Sequence, residues 1–315
     1  MKKLIVLLLA ALMLVSAALA EDYSALTTEE LKALRNEINQ ELSARLQAEK
    51  AETEQYFTSP DQFIYVDNGE EVMIRGYQGT EADIVIPDQI NGLPVTRIAD
   101  NAFKENGALR SIVIPDSVTE IGPKAFYNCR SLQKVVLSRN VTELKEQTFA
   151  FTSALSEINL SHVSIFRRSA LEYAGIGGVL TLQAENLRIE ASAFCNTKLT
   201  AVKIYSDTCE IRSPMPFSKM NALKYFYVSD ETQLTFAGIV MTDCPALEAL
   251  VIPSSVILTT APGVSTIYAQ FEGCTNMVIY TPEGSDLHAY AKENFIRCSP
   301  AQYGDMSALL DAMEE

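Results

Sequence analysis

Residues Leu109 to Phe126 read Leu-Arg-Ser-Ile-Val-Ile-Pro-Asp-Ser-Val-Thr-Glu-Ile-Gly-Pro-Lys-Ala-Phe, and this stretch decides the fold. Its first half is a short apolar, β-branched run that ends at a proline. That pattern predicts a brief strand that stops where the backbone N–H is missing. Its second half holds another apolar pair, three residues apart, and ends on a small residue followed by Phe.

The small-then-large pair at the end of this stretch recurs along the chain. It stands at Ala102-Phe103, Ala125-Phe126, Thr148-Phe149, Ala170-Leu171, Ala193-Phe194 and Pro216-Phe217, so the large residue advances by 23, 23, 22, 23 and 23 positions. The last apolar residue of the strand recurs at Ile114, Leu137, Leu160, Leu182, Ile204, Val228 and Ile252, with advances of 23, 23, 22, 22, 24 and 24. A fixed period in this range predicts a solenoid in which each turn contacts mainly its neighbours.

The repeated apolar positions predict the core. A second apolar pair recurs at Val95/Ile98, Val118/Ile121, Val141/Leu144 and Val163/Phe166. We expect the large residues Phe103, Phe126, Phe149, Phe194 and Phe217 to point inward and to stack from turn to turn. Each fully buried side chain of this size contributes roughly 1.5–3 kcal/mol, so the stack should dominate cohesion between turns.

The repeat resembles the BspA-like, Treponema-type leucine-rich repeats, whose pattern runs Leu-x-x-Ile-x-Ile-Pro-x-x-Val-x-x-Ile-Gly-x-x-Ala-Phe. The resemblance covers about residues 63–298. It implies an α/β repeat, a right-handed leucine-rich-repeat solenoid of ~23-residue turns with a parallel strand ladder. Residues 63–87 resemble the opening hairpin cap of that family, and residues 282–292 resemble its closing cap. It also implies a bacterial protein with a surface or extracellular role, such as adhesion to host matrix proteins or to other bacteria.

The first residues predict export. Met1-Lys2-Lys3 is basic, and an apolar run follows that ends in Ala18-Leu19-Ala20. This arrangement is typical of a secretory signal peptide, cleaved here after Ala20. We therefore expect a secreted or extracellular protein without membrane insertion after cleavage, and association with a cell surface stays open. The expected organisation is residues 1–20 as signal peptide, 21–58 as N-terminal helical segment, 59–298 as repeat solenoid with caps, and 299–315 as acidic tail.

An α-helix is expected before the solenoid. From Thr27, apolar residues recur at helical spacing up to Leu46, with charged residues between them. Two interpretations remain open. The helix makes a short coiled coil through residues 27–57, which would give a homo-oligomer, or it folds onto the first turn or serves as a spacer. Short isolated coils are marginally stable, which favours the second interpretation.

Composition excludes some partners. The chain carries a net charge of −15. Nucleic-acid binding needs clustered Lys and Arg, so no nucleic-acid partner is expected. The six cysteines lack the spacing of a zinc site. Cys129, Cys244 and Cys274 each fall three residues after a position of the Phe type, which predicts inward, hydrophobic cysteines. Since Cys244 and Cys274 belong to successive turns, a disulfide between them stays open as well.

The sequence holds no pattern that indicates catalysis. The two histidines, His162 and His288, are not in a metal-binding spacing, and no Gly-x-Ser-x-Gly elbow is present. The Gly-rich stretch at residues 175–178 lacks the Lys-Ser/Thr of a phosphate loop. We therefore predict no enzyme activity, no catalytic residues, no cofactor and no metal site.

The outward side of the strand ladder is the expected binding surface. The middle residue of each apolar triplet should point outward, at Val113, Val136, Asn159, Thr181, Lys203, Tyr227 and Val251. In the C-terminal half, Tyr205, Tyr225 and Tyr227 should come together beside Lys203. Tyr offers apolar area and a hydroxyl and is common at protein interfaces. These four residues are the candidate ligand-binding residues, with aromatic cover of the sheet as the structural alternative. The expected partner is a protein of the host matrix or of a bacterial surface, and a structural spacer or self-assembling scaffold is the alternative function.

Overall fold

The computed structural model describes residues 57–212, 214–237, 240–259 and 271–300. The predicted signal peptide, almost all of the N-terminal helical segment and most of the acidic tail lie outside the described residues. Among the described residues, nearly every regular element is a strand.

In chain order, the strands are β1 (Phe63–Asp67), β2 (Val72–Tyr77), β3 (Asp83–Val85), β4 (Gln89–Ile90), β5 (Leu93–Ile98), β6 (Ser111–Val113), β7 (Glu120–Ile121), β8 (Lys134–Val136), β9 (Glu143–Leu144), β10 (Glu157–Ile158), β11 (Ile165–Phe166), β12 (Gly177–Ile189), β13 (Lys198–Arg212), β14 (Tyr225–Val228), β15 (Gln233–Ala237), β16 (Ala249–Val251), β17 (Ile257–Thr259) and β18 (Val278–Tyr280). A 3-10 helix (Pro60–Gln62) precedes β1, and the α-helix α1 (Asp286–Glu293) follows β18.

The solenoid opens with the predicted hairpin. β1 and β2 pair antiparallel, and β2 then pairs parallel with β5, so the hairpin caps the first turn. The ring of Phe63 lies 5.5 Å from that of Tyr77, which lies 6.3 Å from the ring of Phe103. The cap therefore extends the aromatic core of the repeats.

Two rows of parallel strands build the turns. The first row runs β3-β6-β8-β10 and continues as β12-β13-β14-β16-β18, and the second contains β5-β7, β9-β11 and β15-β17. β12 and β13 are long enough to belong to both rows, so they join the rows in mid-solenoid. The expected strand residues and second apolar pairs are almost all buried, which confirms the predicted repeat.

The aromatic stack is present with a gap. Ring centroids of Phe103, Phe126 and Phe149 lie 5.1 and 5.0 Å apart with nearly parallel planes. Phe194 and Phe217 stack in the same way at 5.2 Å. Between these two groups, Leu171 occupies the stack position. This interrupts the predicted aromatic stack but leaves the position buried.

Each turn bends at two left-handed residues. The first stands directly before the small residue, at Asn101, Lys124, Gln147, Ser169, Ser192 and Met215. The second stands two positions after the large residue, at Glu105, Asn128, Phe151, Tyr173, Asn196, Lys219 and Asp243. Between them the backbones of neighbouring turns are hydrogen-bonded, as in Phe126 N to Thr148 O at 2.9 Å. Asn and Asp tolerate this conformation well, whereas bulky residues there are strained.

The described chain ends on a helical cap. The Ser285 side chain accepts a hydrogen bond from His288 N at the start of α1, and Tyr290 packs edge-on against Phe271 with centroids 6.2 Å apart. This agrees with the expected closing cap. Within the described ranges, no helix is long and apolar enough to cross a membrane.

Candidate functional site

The first strand row has an inner and an outer side, as the alternation predicts. Val202, Ile204 and Phe226 belong to the hydrophobic core. The residues between and beside them therefore face outward. Parallel register aligns these outward residues across five strands, in the order Thr181, Lys203, Tyr227, Val251 and Tyr280.

The three predicted tyrosines come together on this outer side. The rings of Tyr205 and Tyr227 pack at 5.6 Å between centroids, with planes tilted by 49°. Tyr225 lies two residues before Tyr227 on the same face of β14. All three side chains are partly exposed, so they form a surface rather than a piece of the core.

Sequence reasoning missed a fourth tyrosine. Tyr280 lies in the same cross-strand row as Tyr227, separated from it by Val251. The repeat period does not find it, because Tyr280 lies 29 residues after Val251, whereas the corresponding advances in the preceding turns are 22 to 24 residues. We call Tyr205, Tyr225, Tyr227 and Tyr280 the tyrosine face.

Lys203 differs from the expectation in its exposure. It stands in the outward row, yet only 5% of its surface is accessible. The neighbouring outward residues Ala201 and Val251 are similarly covered, at 1% each. The alternation fixes which way a residue points, but large neighbours across the strands decide whether solvent reaches it. The aromatic rings of the tyrosine face are therefore more accessible than Lys203.

Carboxylates border the tyrosine face. The Tyr225 hydroxyl donates a hydrogen bond to Glu248 Oε2 at 3.3 Å. Burial raises the pKa of Tyr227 to about 12, and the nearby Tyr205, Asp230 and Glu231 add to the shift. Burial also raises the pKa of Asp230, with a further contribution from the charge of Glu231. The surface thus combines aromatic rings with an acidic border.

The second strand row presents a different surface, built of paired charges. Glu120 bonds Lys145 and also pairs with Arg97 at 3.0 Å. Farther along, the ion pairs Glu143–Arg167, Arg167–Glu190, Arg188–Glu210 and Glu210–Arg212 continue the pattern. A cavity of about 250 Å³ lies against these residues and is lined mainly by their charged side chains. A partner on this row would have to replace existing ion pairs.

A second aromatic cluster lies on the turns and was not foreseen. The rings of Tyr127 and Phe151 meet at 5.4 Å, and those of Phe151 and Tyr173 stack at 5.0 Å. Lys104 Nζ lies 5.8 Å from the Tyr127 ring centroid. The cluster links neighbouring turns from outside, and Tyr173 at its end is 43% exposed.

The two histidines have structural contacts. His162 Nε2 lies 3.0 Å from Ser138 O, and burial lowers the pKa of its ring. His288 is buried in α1, where its Nδ1 accepts a hydrogen bond from Gly284 N at 3.0 Å. In the part of the chain that the structure describes, no group of three or more His, Cys, Asp or Glu side chains is placed to hold a metal ion. The absence of enzyme activity stays a prediction.

Solved structures similar to this chain include three leucine-rich repeat proteins. The leucine-rich repeat protein of T. pallidum is 16% identical with a TM-score of 0.42, and the comparison covers 78% of this chain and 99% of that one. A leucine-rich cell surface protein of Faecalibacterium prausnitzii is 18% identical with a TM-score of 0.39, covering 80% and 97%. A leucine-rich repeat protein of Bacteroides ovatus is 14% identical with a TM-score of 0.34, covering 78% and 99%. No curated protein matches the chain.

The repeats of this chain match a known family of repeat proteins. The BspA type leucine-rich repeat region matches in six copies, over residues 96–224 and 179–277. These matches span more than half of the chain and include the stacked Phe positions and the strands β13 and β14, which carry Tyr205, Tyr225 and Tyr227. The chain therefore belongs to the family of BspA type leucine-rich repeat proteins.

Proposed function

We propose that this protein is a secreted, non-catalytic binding module that holds a protein partner on the tyrosine face. The observation that carries the proposal is the packed pair of Tyr205 and Tyr227 on the outer side of the sheet. Tyrosine at such a place keeps apolar area in contact with solvent, which a partner can bury, and its hydroxyl can bond to the partner.

The contrast between the two strand rows supports this choice of surface. Many charged side chains of the second row are paired with one another, as Arg167 is with Glu143 and Glu190. Breaking such pairs costs free energy that a new contact must first recover. The tyrosine face presents four aromatic rings where the second row presents ion pairs. Rigid rings lose little conformational entropy on binding.

The charge of the border favours a basic partner. Glu248, Asp230 and Glu231 lie around the tyrosines, and the chain as a whole carries a net charge of −15. An Arg or Lys side chain of the partner would stack on a tyrosine ring and pair with a neighbouring carboxylate. The field of the whole protein would speed the approach of such a partner at low salt. We therefore propose a segment rich in Arg or Lys as the contacting part, on a host matrix or bacterial surface protein.

The experiment is affinity capture from extracts of host matrix and of bacterial envelopes. The bait is the chain itself, beside an acidic control protein of matched charge. In the Tyr225→Ala, Tyr227→Ala variant, retention should fall by about tenfold or more, because interface anchors of this kind contribute over ~1.4 kcal/mol. A Tyr127→Ala, Tyr173→Ala variant controls for loss of tyrosine elsewhere. Equal retention by both variants would reject the tyrosine face.

A second candidate function rests on the helical spacing of Leu31, Leu34, Ile38, Leu42 and Leu46. It is self-assembly through residues 27–57, with the solenoid as a spacer. Sedimentation of the chain with and without residues 21–57 tests it. Dimers that disappear on deletion would support assembly, and monomers in both cases would reject it.

A further inference from the structure

One column of the solenoid contains two cysteines in neighbouring turns. The column is the position three residues after the large residue of each turn, and it reads Asn106, Cys129, Thr152, Ala174, Thr197, Met220, Cys244 and Cys274. Neither neighbour of Cys129 in this column is a cysteine. Cys244 and Cys274 are the one pair of adjacent cysteines in it.

Side chains in this column point into the solenoid. The Cys129 thiol donates a hydrogen bond to Phe103 O at 2.9 Å, in the preceding turn. The Cys244 thiol lies 3.4 Å from the corresponding carbonyl oxygen, that of Phe217. Cys244 is fully buried and Cys274 is 8% exposed. The column is therefore an inward position, and Cys129 and Cys244 make the same contact with the preceding turn.

The backbone aligns the two turns. Asp243 N donates to Glu272 O at 2.7 Å, and the same bond joins Glu105 to Tyr127 and Asn196 to Ser218 in earlier turns. Strands of neighbouring turns lie about 4.8 Å apart, within the range of about 4.4–6.8 Å between the Cα atoms of a disulfide. The two thiols are close enough for each to shift the pKa of the other. The register of the repeat therefore places the two cysteines side by side in adjacent turns.

We propose that Cys244 and Cys274 form a disulfide bond when the chain folds in an oxidising compartment. The thiols are free in this structure. The oxidant is another disulfide, such as that of oxidised glutathione or of a protein oxidant. The two S–H bonds and the S–S bond of the oxidant break, and one S–S bond forms between Sγ atoms. The two electrons and the two protons pass to the oxidant, which leaves as two thiols.

The order of the exchange follows from the exposure of the two thiols. Cys244 is fully buried, whereas Cys274 is 8% exposed. Cys274 therefore attacks the oxidant first, which forms a mixed disulfide and releases one thiol. Cys244 then attacks Sγ of Cys274 and releases the second thiol.

The bond would fix the end of the solenoid. It joins the turn of Met241 to the turn of Phe271, directly before β18, and β18 carries Tyr280 of the tyrosine face. A covalent link at this place resists separation of the last turns, where a solenoid otherwise has a neighbour on one side alone.

The test is refolding of the reduced full chain in a buffer of reduced and oxidised glutathione. Free thiols are then blocked with iodoacetamide, and the unreduced protein is digested and mapped by mass spectrometry. We expect one cross-linked peptide pair containing Cys244 and Cys274, and two fewer free thiols than the six in the sequence. Circular dichroism confirms that the mapped material is folded.

Matched variants make the result specific. Cys129→Ser alters the same column and should leave the cross-link intact. Cys244→Ser and Cys274→Ser should each abolish it without creating another. Should either variant fail to fold, the peptide map of the unaltered chain still decides. Six free thiols in the folded chain, or a cross-link between other cysteines, would overturn the proposal.

Discussion

The ring of Phe166 packs against the ring of Phe194, with centroids 4.9 Å apart and planes tilted by 49°. Phe166 belongs to the second strand row, where the other turns have Ile or Leu except at Phe236, and it stands in the turn whose stack position is Leu171. Phe226 similarly packs against Phe217, in the turn whose stack position is Met241. A larger strand residue thus accompanies a smaller stack residue, which keeps the core filled.

This exchange of volume predicts coupling between Phe166 and Leu171. Leu171→Phe alone should overfill the turn and lower the free energy of unfolding by about 1–3 kcal/mol. Phe166→Ile alone should leave a void and also destabilise. In the double variant, which has the commoner residue at both positions, the loss should be smaller than the sum. Urea unfolding followed by circular dichroism measures all three, and additivity within about 0.5 kcal/mol would contradict the coupling.

Because the backbone of Phe151 is left-handed, we expect Gly to be a more stable replacement there than Ala, the reverse of the usual order. Its φ is 62°, and its ring stacks on Tyr173. Both Phe151→Ala and Phe151→Gly remove the stack, but Gly also relieves the strain. We expect the Gly variant to be more stable than the Ala variant by about 1 kcal/mol. At Ser111, in β6, the Gly variant should instead be less stable than the Ala variant. The same order at both positions in thermal or urea unfolding would argue against strain at Phe151.

The ion pairs of the second row predict an acid-dependent loss of stability. The hydrogen bond from Lys145 holds the pKa of Glu120 below its ordinary value of 4.5, and Arg97 adds to this effect. A lowered pKa means that the stabilisation is complete above about pH 5 and is lost as the pH falls through the folded value.

Lys145→Met should therefore cost stability at pH 7 and progressively less at lower pH. Because Glu120 is a third exposed, we expect a loss of at most about 1 kcal/mol at pH 7. Lys134→Met, in the more exposed pair with Glu157, serves as the control with a smaller loss. Unfolding curves between pH 3 and 7, in steps of about half a unit, measure the effect. A difference between variant and parent that does not change with pH would contradict it.

The raised pKa of Tyr227 predicts a loss of stability at alkaline pH. Burial raises its pKa from 10.0 to about 12. The folded state thus favours the neutral phenol, and the stabilisation is complete below pH 10 and lost as the pH rises toward 12. Burial raises the pKa of Tyr77 as well, so ultraviolet titration should show a late component that Tyr227→Phe reduces by one phenol. Tyr173→Phe, at an exposed position, should leave the late component unchanged. An undiminished late component in Tyr227→Phe would contradict the assignment.

The sequence predicts the repeat well because its period depends on residues close together in each turn. Inward positions such as Phe126, Ile112 and Val118 could all be assigned from alternation and spacing. Features that depend on contact between turns were harder to predict. The compensation at Phe166 and the burial of Lys203 involve residues from neighbouring turns, whose alignment needs the exact length of each turn. For the same reason the sequence placed Cys244 and Cys274 in successive turns but left their pairing open. Tyr280 was missed for the same reason.

The most direct test of the central proposal places a photoreactive side chain on the tyrosine face. Tyr227 is replaced by p-benzoylphenylalanine, which carries a photoreactive benzoyl group in place of the tyrosine hydroxyl, and the chain is irradiated with matrix and envelope extracts. The same replacement at Tyr127 is the control. The proposal predicts a protein cross-linked from position 227 and none from position 127. Cross-links of equal yield at both positions, or from position 127 alone, would contradict it.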